Sequence, residues 1–83
     1  MKEVAFAVSA LKEMAAITAV DRDRIMAKLN QYAADPASLK NQVKMLKGVS
    51  ALRLRIGDYR AVFREEKTRI VVLRVAHRRE VYD

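Results

Sequence analysis

The strongest constraint on the fold is a run of alternating side chains, Leu52-Arg53-Leu54-Arg55-Ile56, in which every second residue is apolar and the others are cationic. Successive side chains of a β-strand point to opposite faces of the sheet. The three apolar residues can therefore face a hydrophobic core while Arg53 and Arg55 stand side by side on the other face. A sheet face that carries several guanidinium groups is suited to binding phosphate, as in RNA or DNA.

The positive charge of the chain is concentrated in its second half. Residues 1–42 contain six Lys and Arg against five Asp and Glu, whereas residues 43–83 contain eleven against five, for a net charge of +7. A charged run is most often a solvated face, but an excess that follows one strand face favours contact with nucleic acid. The length of 83 residues predicts a single domain, 1–83, with one small core.

Composition excludes several classes of site. The chain has no cysteine and one histidine, so a disulfide framework and a thiolate metal site are impossible. No carboxylate cluster has convincing ligand spacing, and we expect neither a metal nor another cofactor. No apolar run approaches the ~20 residues that a membrane-spanning helix requires. We therefore expect a cytoplasmic protein with no membrane partner.

Two helices are predicted in the first half of the chain. Residues 2–8 have both a two-residue and a helical period, and we favour a short strand that runs into a helix at about Ser9, a suitable N-cap. Thr18, followed by Asp21, resembles a capping pair for a second helix. That helix should end at about Ala34, because the Asp-Pro dipeptide that follows disfavours helical geometry.

Three strands are predicted in the second half. Gly57-Asp58 forms a tight turn between the first two, and residues 37–50 form a connecting segment with a turn at Gly48. The expected fold is α+β, an N-terminal two-helix hairpin packed on one face of a small, largely antiparallel sheet of three or four strands. The strands are expected at about 51–56, 59–65 and 69–76.

The opposite face of this sheet is expected to carry a group of cations. Arg53 and Arg55 alternate with the apolar residues, and Arg60 and Arg74 should lie nearby. Tyr59 alternates with Arg60 and is expected in the core. The alternative interpretation is that these arginines only form a solvent-exposed sheet face that keeps the protein soluble.

Three segments of the chain carry a specific pattern: Val43-Lys-Met-Leu-Lys-Gly48, Leu52-Arg-Leu-Arg-Ile-Gly-Asp-Tyr-Arg60, and the run from Val72 to Tyr82, VVLRVAHRREVY. Together they resemble the RelE branch of the RelE/ParE toxin superfamily, over roughly residues 40–82. The combination of GDYR with HRREVY at this spacing carries the resemblance, since either piece alone would be weak. The resemblance implies the RelE-like microbial RNase fold.

The resemblance also implies a function and partners. Enzymes of this branch are small bacterial toxins that cut messenger RNA on the ribosome without a metal, and a cognate antitoxin holds them inactive. The implied partners are therefore an antitoxin protein, the ribosome and mRNA, with DNA bound only indirectly through the antitoxin. An acidic antitoxin would offset the charge of +7.

Carried over position by position, the resemblance assigns a candidate site to the second half of the chain. The basic strand pair of the family falls on Arg53 and Arg55, and its phosphate-clamping arginine falls on Arg60. The C-terminal cluster of the family falls on the HRREVY segment. The lysines of the segment before β-strand residues 51–56 are added as RNA contacts. The catalytic candidates are His77, Arg78, Tyr82 and Arg60, and the RNA- and phosphate-binding candidates are Arg53, Arg55, Lys44 and Lys47.

These residue types suit metal-free cleavage of RNA by its own 2′-hydroxyl. Guanidinium groups stabilise the charged transition state, and histidine or tyrosine can move protons. Some family members have lysines where this chain has Arg53 and Arg55, and an arginine cannot lose its proton as a lysine can. Proton transfer therefore falls to His77, Tyr82 or Glu80, and which of them is base and which is acid stays open.

Two other functions fit the same residues. A ParE-like toxin shares the fold but acts on DNA gyrase, and such chains usually lack the arginine-rich strand together with HRREVY. A non-catalytic basic module, or a decayed toxin, would only bind nucleic acid or an antitoxin. In that case His77 would be a surface hydrogen-bonding residue.

Overall fold

The computed structural model describes residues 1–79, so the predictions for Glu80 and Tyr82 lie outside the described residues. Two helices and a 3-10 turn cover one face of a sheet whose other face is open. In chain order the elements are β1 (Glu3–Phe6), α1 (Val8–Ala15), α2 (Ala19–Ala34), the 3-10 turn (Pro36–Leu39), β2 (Val43–Met45), β3 (Leu52–Ile56), β4 (Tyr59–Glu65) and β5 (Arg69–His77).

The strand order across the sheet is β1-β5-β4-β3-β2. β1 runs parallel to β5, and the other three pairs are antiparallel. The predicted α+β class and helical hairpin are confirmed, but within residues 1–79 the sheet has five strands rather than three or four. The additional strand is β2, which pairs Val43 with Leu54 and Met45 with Leu52 at the edge of the sheet. Three residues are too few for an alternating pattern to be recognised in the sequence.

The start of α1 differs from the prediction. The helix begins at Val8, and Ala7 is its N-cap, with no side-chain capping bond. Ser9 is therefore not the cap; its hydroxyl donates a hydrogen bond to the carbonyl oxygen of Leu73 at 2.8 Å. This bond fastens α1 to the middle of β5.

The boundaries of α2 agree with the prediction. The Oγ1 atom of Thr18 accepts a hydrogen bond from the backbone N–H of Asp21 at 3.4 Å, as an N-cap does. Arg22 in the first turn donates to the carbonyl oxygens of Met14 and Ile17 at 3.0 and 2.8 Å. It thereby satisfies carbonyl groups at the end of α1 and fixes the angle between the two helices.

The core lies between the helices and the covered face of the sheet. Phe63 of β4 is fully buried, and its ring meets the ring of Tyr32 edge-on, with centroids 4.9 Å apart. Burying a side chain of this size contributes about 1.5–3 kcal/mol. The other fully buried large side chains are Ile25, Leu29, Leu39, Leu54, Ile70, Val72 and Val75.

A β-bulge interrupts the pairing of β4 with β5. Val62 pairs with Arg74 and Phe63 pairs with Val72, so Leu73 is an extra residue on β5. An extra residue reverses the alternation of every side chain that follows it. As a result Val72 and Val75 both contribute to the core although they are three residues apart.

No helix among residues 1–79 is both long and apolar enough to cross a membrane.

Candidate functional site

β3 carries the two predicted strand arginines on the open face, the face of the sheet opposite the helices. Leu54 and Ile56 point under the helices and are 0% and 2% exposed, whereas Arg55 is exposed and Arg53 is partly so. The alternation in the sequence thus has the expected structural consequence. Because Arg55 pairs directly with Arg60 of β4, two guanidinium groups occupy neighbouring positions on this face.

The positive charges crowd around Arg60. Burial, and then the charges of neighbouring arginines, lower the pKa of Arg60 from its ordinary value, and the carboxylate of Asp58 partly opposes this effect. Like charges directly opposite each other on a sheet are destabilising. A bound anion would relieve that repulsion. The four residues concerned form what we call the arginine cluster: Arg53, Arg55, Arg60 and Arg78.

The turn between β3 and β4 holds Arg60 in place. Gly57 has a φ of +58°, which favours glycine, and the chain reverses here. The Nη1 atom of Arg60 donates to the carbonyl oxygens of Gly57 and Tyr59 at 3.2 and 3.0 Å. These are the hydrogen bonds that the guanidinium makes within residues 1–79. The guanidinium is therefore fixed over the turn, with further N–H groups for a ligand.

Arg78 reaches the cluster from the end of β5. Its backbone N–H donates to the carbonyl oxygen of Asp58 at 2.6 Å, which continues the β5 pairing past the end of the strand. Its Nε atom lies 3.7 Å from Oδ1 of Asp58. Both side chains are more than half exposed, so this ion pair contributes little stability.

A cavity of about 460 Å³ opens beside this turn, and we call it the turn cavity. Among residues 1–79, its charged lining carries four cations and a single acid. The lining residues are Lys28, Gln42, Arg55, Gly57, Asp58, Arg60 and Arg78.

His77 lies on the other side of the strand ends. It pairs with Tyr59 on the covered face, and the two rings meet edge-on with centroids 5.6 Å apart. The hydroxyl of Tyr59 donates to Oδ2 of Asp21 at 3.2 Å, and Nδ1 of His77 accepts from the backbone N–H of Arg79 at 3.3 Å. His77 lines a second cavity, of about 420 Å³, between the sheet and the α1–α2 turn. The structure therefore does not bring His77 into the turn cavity.

Glu13 of α1 contacts β5 just after the bulge. Its carboxylate accepts from the backbone N–H of Val75 at 2.8 Å and from Nε of Arg74 at 3.0 Å. Val75 pairs with Ala61 of β4, and β1 pairs with β5 only as far as Val72, so Glu13 contacts β5 beyond the end of β1. Arg74 lies in the same row across the sheet as Arg53, since both pair with Val62, but its guanidinium also pairs with Glu13.

The two predicted lysines lie at the edge of the sheet. Lys44 of β2 pairs with Arg53, so it continues the row of cations on the open face. Lys47 follows β2 and is exposed. Both line a small cavity of about 180 Å³, and neither lines the turn cavity.

Sequence reasoning missed three residues of this region. Glu13 carried no motif, and its contact lies just after a bulge that the sequence does not reveal. Lys28 and Gln42 line the turn cavity although they precede the matched motifs. One signal was present for Lys28: it stands three residues after Ile25 and one before Leu29, within the apolar stripe of α2. Among residues 1–79, no group of three or more His, Asp and Glu is arranged to hold a metal.

Comparison with protein families gives a match over nearly the whole chain. Residues 4–82 match the model described as ParE toxin of type II toxin-antitoxin system, parDE. A comparison with curated proteins found no significant relative.

Solved structures of toxins share the fold. Toxin chains align in the intact RelBE toxin-antitoxin complex of E. coli (26% identity, 93% of this chain and 96% of that chain, TM-score 0.73) and in the RelB-RelE antitoxin-toxin complex of Methanococcus jannaschii (25%, 95% and 95%, 0.74). The YoeB dimer of Staphylococcus aureus aligns at 17% identity over 92% of this chain and 95% of that chain, with a TM-score of 0.74. At that identity the likeness concerns the fold alone.

Proposed function

The chain belongs to the family of ParE toxins of type II toxin-antitoxin systems, with a RelE-like fold, and on that premise we propose that it is a ribosome-dependent mRNA endoribonuclease. The observation that carries the proposal is the direct pairing of Arg55 with Arg60 on the open face. Arg53 and Arg78 add their charges to this pair. Such a concentration of like charge weakens the folded protein and is best explained by an anionic ligand.

The proposed reaction uses the RNA's own 2′-hydroxyl as the nucleophile. Its oxygen attacks the adjacent phosphorus while the bond to the 5′-oxygen of the next nucleotide breaks, which leaves a cyclic phosphate and a 5′-hydroxyl. Two protons must move, one from the 2′-hydroxyl and one to the leaving oxygen. The negative charge that develops on the phosphate oxygens is the part of this reaction that arginines can stabilise.

We assign that stabilisation to Arg55, Arg60 and Arg78, which line one cavity. A guanidinium can donate two parallel hydrogen bonds to a phosphate group. The hydrogen bonds of Arg60 to the turn reduce the reorganisation that its guanidinium undergoes when the phosphate binds.

Proton transfer is assigned to His77 and to Tyr82, which lies outside the described residues. His77 is on the covered side of the strand end, and Arg78, the next residue, reaches the turn cavity. An RNA strand that crosses the end of β5 would contact both side chains. This assignment makes the strand end, rather than the centre of the open face, the place of reaction.

The proposed partner in the resting cell is a cognate antitoxin. RelE is bound to RelB in the E. coli and Methanococcus jannaschii complexes. For a chain of charge +7, an acidic antitoxin segment would supply the anionic groups that the arginine cluster lacks. The antitoxin would also be the component through which the complex contacts operator DNA.

A second candidate function is inhibition of DNA gyrase, which the description of the matching family as ParE favours. The two functions differ in their target: the nuclease cuts mRNA, whereas the other toxin inhibits gyrase and leaves mRNA intact.

The test compares two double variants that remove the same charge from the open face. Arg55→Ala/Arg60→Ala removes the central pair of the cluster, while Arg64→Ala/Arg69→Ala removes two arginines that pair with Glu66 at the far end of the sheet. Each is expressed in bacteria without antitoxin, and growth and mRNA 5′ ends are recorded. We expect cuts within translated codons for the wild type and the Glu66-side variant, and at least a hundredfold fewer for the cluster variant.

Other results would give other conclusions. Growth arrest without mRNA cuts, together with inhibited supercoiling by purified gyrase, would support the ParE-like function instead. A folded wild-type protein that causes no arrest would contradict both toxin activities. Equal loss of cutting in the two double variants would show that charge alone, rather than the cluster, is required.

A further inference from the structure

Lys28 has an unusual position for a charged residue. Ile25, Leu29 and Tyr32 of α2 face the core, and Lys28 lies on the same side of the helix because it is three residues after Ile25. A helix that packs on a sheet would ordinarily have an apolar residue there. Lys28 is partly buried, and its stem can cover apolar surface while its ammonium group reaches outward.

The ammonium group of Lys28 has an anion-poor environment. It makes no ion pair or hydrogen bond with residues 1–79, and it lines the turn cavity together with Arg55, Arg60 and Arg78. Within the described part of the chain, Asp58 is the one acid that lines the cavity, and its carboxylate is 3.7 Å from Nε of Arg78. The helix thus adds a fourth cation to a cavity in which the sheet already supplies three.

Gln42 borders the same cavity from the other side. The backbone carbonyl oxygen of Gln42 accepts a hydrogen bond from the backbone N–H of Arg55 at 2.9 Å, which fixes the position of Gln42 beside the end of β3. Gln42 is partly buried, and its side chain carries both donors and an acceptor. Amide groups of this kind can bind the polar edge of a nucleobase.

The cavity has room for more than one phosphate group. Its volume of about 460 Å³ is in the range of sites that hold a whole small ligand, roughly 300–1,000 Å³. The arginines occupy the part next to the turn, and Lys28 and Gln42 come from α2 and from the segment before β2.

We propose that Lys28 and Gln42 form a second subsite for single-stranded RNA, next to the phosphate held by the arginine cluster. Lys28 binds the neighbouring phosphate of the same strand, and Gln42 hydrogen-bonds the base between the two phosphates. This inference rests on the proposed function, because it takes the ligand of the cluster to be RNA. It makes α2 part of the substrate-binding surface rather than only a layer of the core.

The test measures the binding of short single-stranded RNA to the purified protein by fluorescence anisotropy. Ribosomes are absent, so the proposed activity leaves the RNA intact, and a gel confirms this. Four variants are compared with the wild type. Lys28→Ala and Gln42→Ala probe the subsite, Arg60→Ala probes the cluster, and Lys12→Ala is the matched control, an exposed lysine of α1 that does not line the cavity.

Salt dependence separates a phosphate contact from a general effect of charge. For single strands, log K falls with log salt by ~0.7 for each phosphate that is neutralised. We expect Lys28→Ala to reduce this slope by about 0.7 and the affinity by about fivefold. Lys12→Ala should leave the slope unchanged. Gln42→Ala should leave the slope unchanged too, but should reduce the difference in affinity among RNAs of different base composition.

The failure of this inference is distinguishable from the failure of the proposed function. If Lys28→Ala has the same slope and affinity as Lys12→Ala while Arg60→Ala binds weakly, the second subsite is refuted and the cluster remains the RNA site. If Arg60→Ala also binds like the wild type, the turn cavity does not bind RNA, and both proposals fail. Alanine is well tolerated in a helix, so Lys28→Ala and Lys12→Ala should fold equally well.

Discussion

The two ends of β4 differ in the charged groups that surround them. At its C-terminal end Glu65 accepts hydrogen bonds from Lys2 at 2.8 Å and from the hydroxyl of Tyr32 at 2.9 Å. At its N-terminal end Arg60 pairs with Arg55, and Asp58, the acid of the adjoining turn, is exposed. Among residues 1–79, charges of opposite sign are in close contact at the C-terminal end, whereas at the N-terminal end several arginines face one exposed carboxylate, that of Asp58.

This difference separates residues that stabilise the fold from residues that are available to a ligand. Arg60 and Arg64 lie on the same strand and on the same face, because they are four positions apart in the sequence. Arg64 contacts Glu66 at 3.2 Å, whereas Arg60 bonds only to carbonyl oxygens among residues 1–79. Residue type therefore does not decide the role of an arginine on this face; its neighbours do.

The largest effect is expected where β4 contributes to the core. Phe63→Ala should reduce the free energy of unfolding by about 3–5 kcal/mol, because the side chain is fully buried and loses its contact with Tyr32. Arg60→Ala should change it by less than about 0.5 kcal/mol. Urea unfolding followed by circular dichroism measures both. A large loss for Arg60→Ala would mean that the arginine end also holds the fold together.

A smaller loss of stability is expected at the C-terminal end of β4, the paired end, where Glu65 contacts Lys2 and Tyr32. Glu65→Gln should reduce the free energy of unfolding by about 1–2 kcal/mol, since it removes the charge that Lys2 and Tyr32 contact. Tyr32→Phe removes one of the two contacts and should cost about half as much. If Glu65→Gln were neutral, the paired end would be no more stabilising than an exposed ion pair.

The same network gives stability a pH dependence at both extremes. Burial, and then the hydrogen bond to Glu65 and its charge, raises the pKa of Tyr32 from 10.0 to about 12. A raised pKa means that the stabilisation is complete below pH 10 and is lost as pH rises towards about 12. Tyr32→Phe should abolish this alkaline loss in unfolding titrations, and an unchanged loss would assign it to another group.

The acid side has the opposite sign. The hydrogen bond from Lys2, opposed by burial and supported by Tyr32, lowers the pKa of Glu65. The stabilisation is therefore present above the usual pKa of 4.5 and is lost as pH falls through the lower pKa of the folded state. Glu65→Gln should reduce the pH dependence of the unfolding midpoint in that acid range, which thermal unfolding at a series of acid pH values measures.

The smallest effect on stability is expected at the turn. Asp58→Asn should change the free energy of unfolding by less than about 0.5 kcal/mol, because its contact with Arg78 is long and exposed. It should, however, increase the stabilisation that inorganic phosphate gives over chloride at equal ionic strength, since the competing carboxylate is gone. No change in that phosphate effect would show that Asp58 does not compete with an anion for the cluster.

The sequence predicted the fold where local patterns are strong. The period of α2, its Thr18 cap and the alternation from Leu52 to Ile56 gave element bounds that agree with the structure to within about two residues. β2 was missed because three residues have no measurable period. The start of α1 was misplaced because the hydroxyl of Ser9 serves a tertiary contact rather than the helix end.

The site was predictable only in part, for a physical reason. Alternation along one strand indicates which face Arg53 and Arg55 share, but not which residues of other strands lie opposite them. The position of His77 relative to Arg60 depends on the register of β5 against β4, and the bulge changes that register. Lys28 reaches the turn cavity through tertiary packing, for which a single sequence contains little information.

The extra residue in β5 has a consequence for how this chain tolerates change. Side chains alternate between the two faces with one parity before Leu73, where β5 pairs with β1, and with the opposite parity after it, up to His77. The even-numbered Ile70 and Val72 face the helices in the first phase, and the odd-numbered Val75 faces them in the second. Deleting Leu73 would restore a single alternation along the strand. Without the bulge, His77 and Arg78 would each lie on the opposite face of the sheet from the one that they occupy in this structure.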